Sequence, residues 1–157
     1  MTAEQKEKLI EILKSWYETP FVPSLHGKAI KKRFADCVSF PIAVYTELGI
    51  IKEEMKLPEY DSRFCGSNAF KQLIDGIRSL EAQEVWTKRP LTRFSDYVPK
   101  LEVGDLIVCS IGAGCHHLCI YAGNEQVVDC YPPAVRQRSV NFKLIHKTAK
   151  YVFRFKN

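Results

Sequence analysis

His117-Leu118-Cys119-Ile120-Tyr121-Ala122-Gly123-Asn124-Glu125-Gln126-Val127-Val128-Asp129-Cys130-Tyr131 reads as two strands joined by a tight turn. The apolar runs are short, rich in β-branched and aromatic residues, and broken by Gly123, Asn124 and Glu125. Side chains alternate along a strand, so His117, Cys119 and Tyr121 share one face, and Leu118, Ile120 and Ala122 the other. A three-residue loop, Gly123 to Glu125, pairs Cys119 with Asp129 and sets His117 diagonally across from Asp129 on one face. A two-residue loop puts them on opposite faces unless a bulge restores the register.

The strand signal extends outward from this hairpin. Leu106-Ile107-Val108-Cys109 is a short apolar strand followed by the turn Gly112-Ala113-Gly114. Pro132 and Pro133 stop the second hairpin strand, and Tyr151-Val152-Phe153-Arg154-Phe155 forms a last one. A further short strand fits near Glu84–Thr87.

The N-terminal half has a helical period instead. Thr2-Ala3-Glu4-Gln5 fits a capping box, and Leu9, Ile12, Leu13 and Trp16 recur on one face until Pro20 and Pro23 end the run. Residues 18–35 read as a loop containing His26, and residues 52–66 as another. Ser67 caps a third helix with Phe70, Leu73, Ile74 and Ile77 on its apolar face. Helices first and an antiparallel sheet after them predict a single α+β domain over 1–157.

A second helix is expected to begin at Asp36, with Val38, Ile42, Tyr45 and Leu48 toward the core and Gly49 as its stop. Pro41 cannot return an N–H to the carbonyl of Cys37, so the first turn should be loosened. Cys37 therefore sits at a helix start, where the partial positive charge of the backbone favours a thiolate. A cysteine nucleophile needs a base, and the base needs a third polar group to hold it. His117 and Asp129 are the candidates. His116 is the rival base, but it shares its face with Leu118 and Ile120. Cys109, Cys115, His116, His117, Cys119 and Cys130 are zinc ligand types, yet no pair has knuckle spacing and strand alternation scatters them, so no metal is expected.

The net charge of +5 permits an acidic partner, but Lys28, Lys31, Lys32 and Arg33 are the one tight basic group and read as a solvated loop. No nucleic-acid partner, cofactor or membrane span is expected. The N-terminus lacks the plan of a secretory signal, which predicts cytoplasmic synthesis, with lysis or a delivery machine needed to reach an outside target. Six cysteines without a CxxC pair then read as reduced thiols.

Three segments, in order, resemble the NlpC-type cysteine peptidases, a papain-like family that cleaves cell-wall peptides. Trp16-Tyr17-Glu18-Thr19-Pro20-Phe21 resembles W-x-G-T-P-Y, and Asp36-Cys37-Val38-Ser39-Phe40 resembles D-C-S/V-G-L. Gly104-Asp105-Leu106 with His117-Leu118-Cys119-Ile120-Tyr121-Ala122-Gly123 resembles G-D-L and H-V-G-I-Y-x-G. The resemblance, over most of residues 9–131, implies a papain-like fold with N-terminal helices packed on a C-terminal antiparallel sheet. It implies Cys37 as nucleophile, His117 as base and acid, and Asp129 as the residue that orients His117. The Cys37 amide would be one oxyanion donor. The implied substrate is the peptidoglycan stem peptide, at the bond between D-glutamate and the diamino acid. With no signal peptide and a Pro58-Glu59-Tyr60 segment, the chain looks most like the phage-tail or gene-transfer-particle branch, which implies a virion or secretion-machine partner and delivery to the cell wall. Phe21 stands at the family's tyrosine, Ser39 and Cys119 at glycines, and Asp129 where histidine is common, leaving the three roles filled. A papain-like acyltransferase or thioesterase, and a basic binding module with structural thiols, are the competing readings.

Overall fold

The computed structural model describes residues 1–23, 28–52, 67–111 and 115–155, and of residues 67–70 and 115 the backbone alone. Residues 53–66 of the loop expected over 52–66, the turn at 112–114, His26 and the place of the Phe70 side chain lie outside the described residues.

Helix α1, Ala3–Trp16, begins on the expected capping box. Thr2 Oγ1 accepts from the Gln5 amide at 3.2 Å and Gln5 Oε1 accepts from the Thr2 amide at 2.9 Å. Each bond satisfies an amide that the first turn leaves without a helical partner. The helix buries Leu9, Ile12, Leu13 and Trp16. Helix α3, Ser67–Ser79, buries Leu73, Ile74 and Ile77.

Helix α2 spans Ser39–Glu47, so its regular part begins later than Asp36 predicts. Asp36 still caps it. Its Oδ1 accepts from the amides of Val38 and Ser39 at 2.9 and 2.7 Å, and Ser39 Oγ accepts from the Asp36 amide at 3.0 Å. Pro41 offers no N–H to Cys37, so Cys37 and Val38 form a turn rather than a regular helix. Phe40 and Val44 are fully buried and carry more of the packing than the half-buried Ile42. The helix stops at Gly49, φ +82°, where the Ile50 amide donates to the Tyr45 carbonyl and the Gly49 amide to Thr46.

Six strands form one antiparallel sheet: β1 Ala82–Thr87, β2 Leu106–Ile111, β3 Cys115–Gly123, β4 Gln126–Tyr131, β5 Ala134–Ser139 and β6 Ala149–Phe155. Their order is β1-β6-β2-β3-β4-β5. Strand β5 and helix α4, Lys143–Thr148, are additions to the sequence reading. Helices α1 to α3 pack on one face, against Leu106, Val108, Leu118, Ile120 and Phe153. Two 3₁₀ turns, Phe94–Asp96 and Val98–Lys100, and α4 cover the other, against Ile107, Cys119, Val127 and Val152.

Gly104-Asp105 fixes the centre of this sheet. The buried Asp105 carboxylate accepts from Arg154 Nε and Nη2 at 2.7 and 2.8 Å and from the Glu102 amide at 2.8 Å. The Asp105 carbonyl accepts from the Tyr121 amide at 2.9 Å, which sets β3 against β2. Tyr45 Oη donates to the Gly104 carbonyl at 2.9 Å, tying α2 to the same point.

Candidate active site

The hairpin register puts His117 and Asp129 on one face by the second of the two expected routes. Asn124 and Glu125, φ +50° and +56°, make a two-residue turn of the kind that suits strand twist. Gly123 pairs with Gln126, Tyr121 pairs with Val127, and the register shift between them leaves Ala122 as a bulge. The bulge restores the Cys119–Asp129 pair. His117 Nε2 then lies 2.8 Å from Asp129 Oδ2, with both side chains almost wholly buried. A neutral His117 facing that carboxylate carries its proton on Nε2 and leaves Nδ1 as the acceptor.

The β3–β4 ladder ends at Cys119–Asp129, so Cys115–Leu118 has β2 alone as strand partner. The sulfur of Cys37 occupies this opened edge. Its S–H donates to the His116 carbonyl at 3.4 Å, and the Leu118 amide favours its thiolate. Residues 116 and 118 present their polar groups to the same strand edge, so the sulfur meets the backbone on both sides of His117.

Cys37 is half-buried, and burial, then the adjacent Asp36 carboxylate, pushes its thiol up to about 12. The amides of Cys37 and Leu118 act in the opposite direction, and the Asp129 charge adds a small upward push. The helix start therefore does not deliver a thiolate here, because Asp36 takes the Val38 and Ser39 amides and adds its own charge. An imidazolium at His117 would counter both effects.

The loop before Cys37 is braced by the Thr19-Pro20-Phe21 segment. The Ala35 amide donates to the Pro20 carbonyl at 3.0 Å, the Val22 amide to Ala35 at 2.8 Å, and the Phe21 amide to Pro133 at 2.8 Å. Thr19 is fully buried, with its carbonyl accepting from the Val135 amide at 2.9 Å and its Oγ1 from the Lys32 amide at 3.0 Å. These bonds join the loop before Cys37 to the end of β4 and the start of β5. Glu18, where the resembling pattern has glycine, holds φ +63°. The basic cluster partly serves this frame: Lys31 pairs with Glu47 at 2.7 Å and Lys32 Nζ donates to the Tyr17 carbonyl at 2.7 Å.

Arg138, on the unanticipated β5, reaches Asp129 as well. Its Nε donates to Asp129 Oδ1 at 2.9 Å. The guanidinium lies 5.5 Å from the Tyr131 ring centre and 5.3 Å from that of Phe142, and the Tyr131 ring meets His117 edge-on at 5.6 Å. Val135-Arg136-Gln137-Arg138 has one apolar residue followed by three polar ones, so it carries no alternation that would mark a strand.

His116 is half-buried, and burial lowers it to about 4. Asp129 is bonded to His117, not to this neighbour. Among the described residues no group of three or more His, Cys, Asp or Glu is gathered as a metal site requires. Cys37, Cys109, Cys119 and Cys130 carry free thiols. A cavity of about 220 Å³ between α1 and the hairpin tip, lined in part by Leu13, Tyr17 and Gln137, includes none of the three candidate residues. No described helix is long and apolar enough to cross a membrane.

This is the α+β architecture of the papain-like NlpC fold, with helices on one face of an antiparallel sheet. The solved structure of NlpC2 from Trichomonas vaginalis is similar to it, with a TM-score of 0.62 and 14% identity. The match covers 99% of this chain and 48% of that one, so the chain spans about half the length of its structural neighbour. No family model matches the chain, and no curated protein matches it.

Proposed function

We propose that the protein is a cysteine peptidase of the NlpC type, with Cys37 as nucleophile, His117 as base and acid, and Asp129 as the orienting residue. The observation that carries this reading is the buried 2.8 Å His117–Asp129 bond beside a cysteine sulfur held against the backbone of residues 116 and 118. The Cys37 proton passes to His117 Nδ1, and the thiolate attacks the scissile carbonyl carbon. The oxyanion is met by the Cys37 amide. Collapse breaks the C–N bond as His117 returns the proton to the leaving amine, and a thioester remains. His117 then takes a proton from water, the hydroxyl attacks the thioester, and the thiol is regenerated with release of the acid.

The proposed substrate is the peptidoglycan stem peptide at the D-glutamyl–diamino acid bond, cleaved by one domain over 1–157. A phage tail or secretion machine would bring the protein to the wall. Digestion of purified peptidoglycan tests this: wild type should release new amine termini, and Cys37→Ala and His117→Ala should not. No new amine termini from wild type would count against the peptidase, and transfer of an acyl group from a thioester donor would then favour the acyltransferase.

A further inference from the structure

We propose that Arg138 is a positioning residue for the base, acting through Asp129; the inference rests on the reading of His117 as that base. The Asp129 carboxylate is fully buried and divided between two donors, His117 Nε2 at Oδ2 and Arg138 Nε at Oδ1. A carboxylate bonded at one oxygen can turn about its Cβ–Cγ bond, whereas one bonded at both keeps a single orientation. Arg138 thus fixes the plane in which His117 is held and the tautomer it presents. Its permanent charge also takes part of the negative potential of Asp129, which opposes formation of the imidazolium.

The guanidinium is itself held. Val127 pairs with Arg138 and Asp129 with Arg136, so Arg138 reaches Asp129 diagonally across the β4–β5 ladder. Tyr131 and Phe142 clamp it at 5.5 and 5.3 Å. Tyr131 also touches the His117 ring, so the clamp and the base share a wall.

Other ionisable groups face this cluster and remain unchanged when Arg138 is replaced. From the α2 turn come Asp36 and Cys37, and from β2 Cys109, directly opposite His117. Cys119 lies on β3, Tyr131 on β4 and Arg136 on β5 opposite Asp129, while the neighbouring His116 and Cys130 project to the other face of the sheet.

The test is the pH profile of Cys37 alkylation by iodoacetamide, which does not depend on the substrate. Arg138→Met should move the acid limb to higher pH by about 1 unit, because the whole Asp129 charge then favours the imidazolium. Arg138→Lys, which keeps the charge, should return most of that shift, and the control Arg136→Met, which removes an exposed charge, should move the limb much less than Arg138→Met. Phe142→Leu removes one face of the clamp and should move the limb the same way by less, which serves if Arg138→Met does not fold. An unmoved limb in Arg138→Met and Phe142→Leu, or equal shifts in the Met and Lys variants, overturns the proposal. A wild type with an acid limb but no peptide cleavage sinks the substrate reading and leaves Arg138 standing; a wild type without an acid limb overturns both.

Discussion

His117 and Asp129 meet at 2.8 Å across a hairpin whose turn has the length that should separate them. The bulge at Ala122 reconciles the two. It adds one residue to β3, and a one-residue change moves a side chain to the other face of the sheet. The juxtaposition is therefore a product of hairpin geometry, and Arg138 on the next strand completes it.

Asp129→Asn should cost more than the loss of one charge. The guanidinium of Arg138 can only donate, so the carbonyl oxygen of the new amide must face it. The amide NH₂ then faces His117 Nε2, which must accept, and the ring proton moves to Nδ1, where the base is needed. We expect a fall of about 10³-fold in turnover per folded molecule, together with a lowered melting temperature, because Arg138 then faces a neutral amide in place of a buried carboxylate. A fall under about tenfold would show that the tautomer is not set by Asp129.

Glu18→Gly should stabilise the protein. Glu18 is exposed and holds φ +63°, a conformation that costs a side-chain-bearing residue about 1 kcal/mol relative to glycine. Thermal unfolding should shift upward by about 3 °C. An unchanged or lowered midpoint would mean that Glu18 contributes an interaction outweighing its backbone cost.

Asp105→Asn should destabilise by about 3 kcal/mol, because it leaves Arg154 facing a neutral amide in place of a two-bonded buried carboxylate. Urea unfolding measures this.

Acid should destabilise the fold through His116. Its folded-state value is lowered to about 4, so its contribution is present above the ordinary value near 6.5 and is lost as pH falls between them. Unfolding in that window should take up about one proton at this site. His116→Gln should flatten the dependence of stability on pH there, and an unchanged slope would assign the acid sensitivity elsewhere.

How legible the fold was depended on the strength of each local signal. The capping box at Thr2 and the strand Gln126–Tyr131 follow from residue types alone, because end-capping and alternation act within a few residues. The start of α2 was displaced by Pro41, whose missing N–H was foreseen while the length of the loosened turn was not. Strand β5 escaped because it is an edge strand with three exposed polar side chains, held by β4 and by Thr19, and Arg138 escaped with it. At the site, the residue types at 37, 117 and 129 were readable. The thiol environment was not, because it depends on where the Val38 and Ser39 amides are directed.

The central claim is that the proton of Cys37 goes to His117. The rate of iodoacetamide alkylation at Cys37, followed by peptide mass analysis at pH 7 in wild type and His117→Ala, tests it most directly. Burial and the Asp36 carboxylate hold the thiol near 12, so without the imidazole alkylation should be at least about tenfold slower and should rise only in strongly alkaline solution. Equal rates at pH 7 in the two proteins would contradict the account.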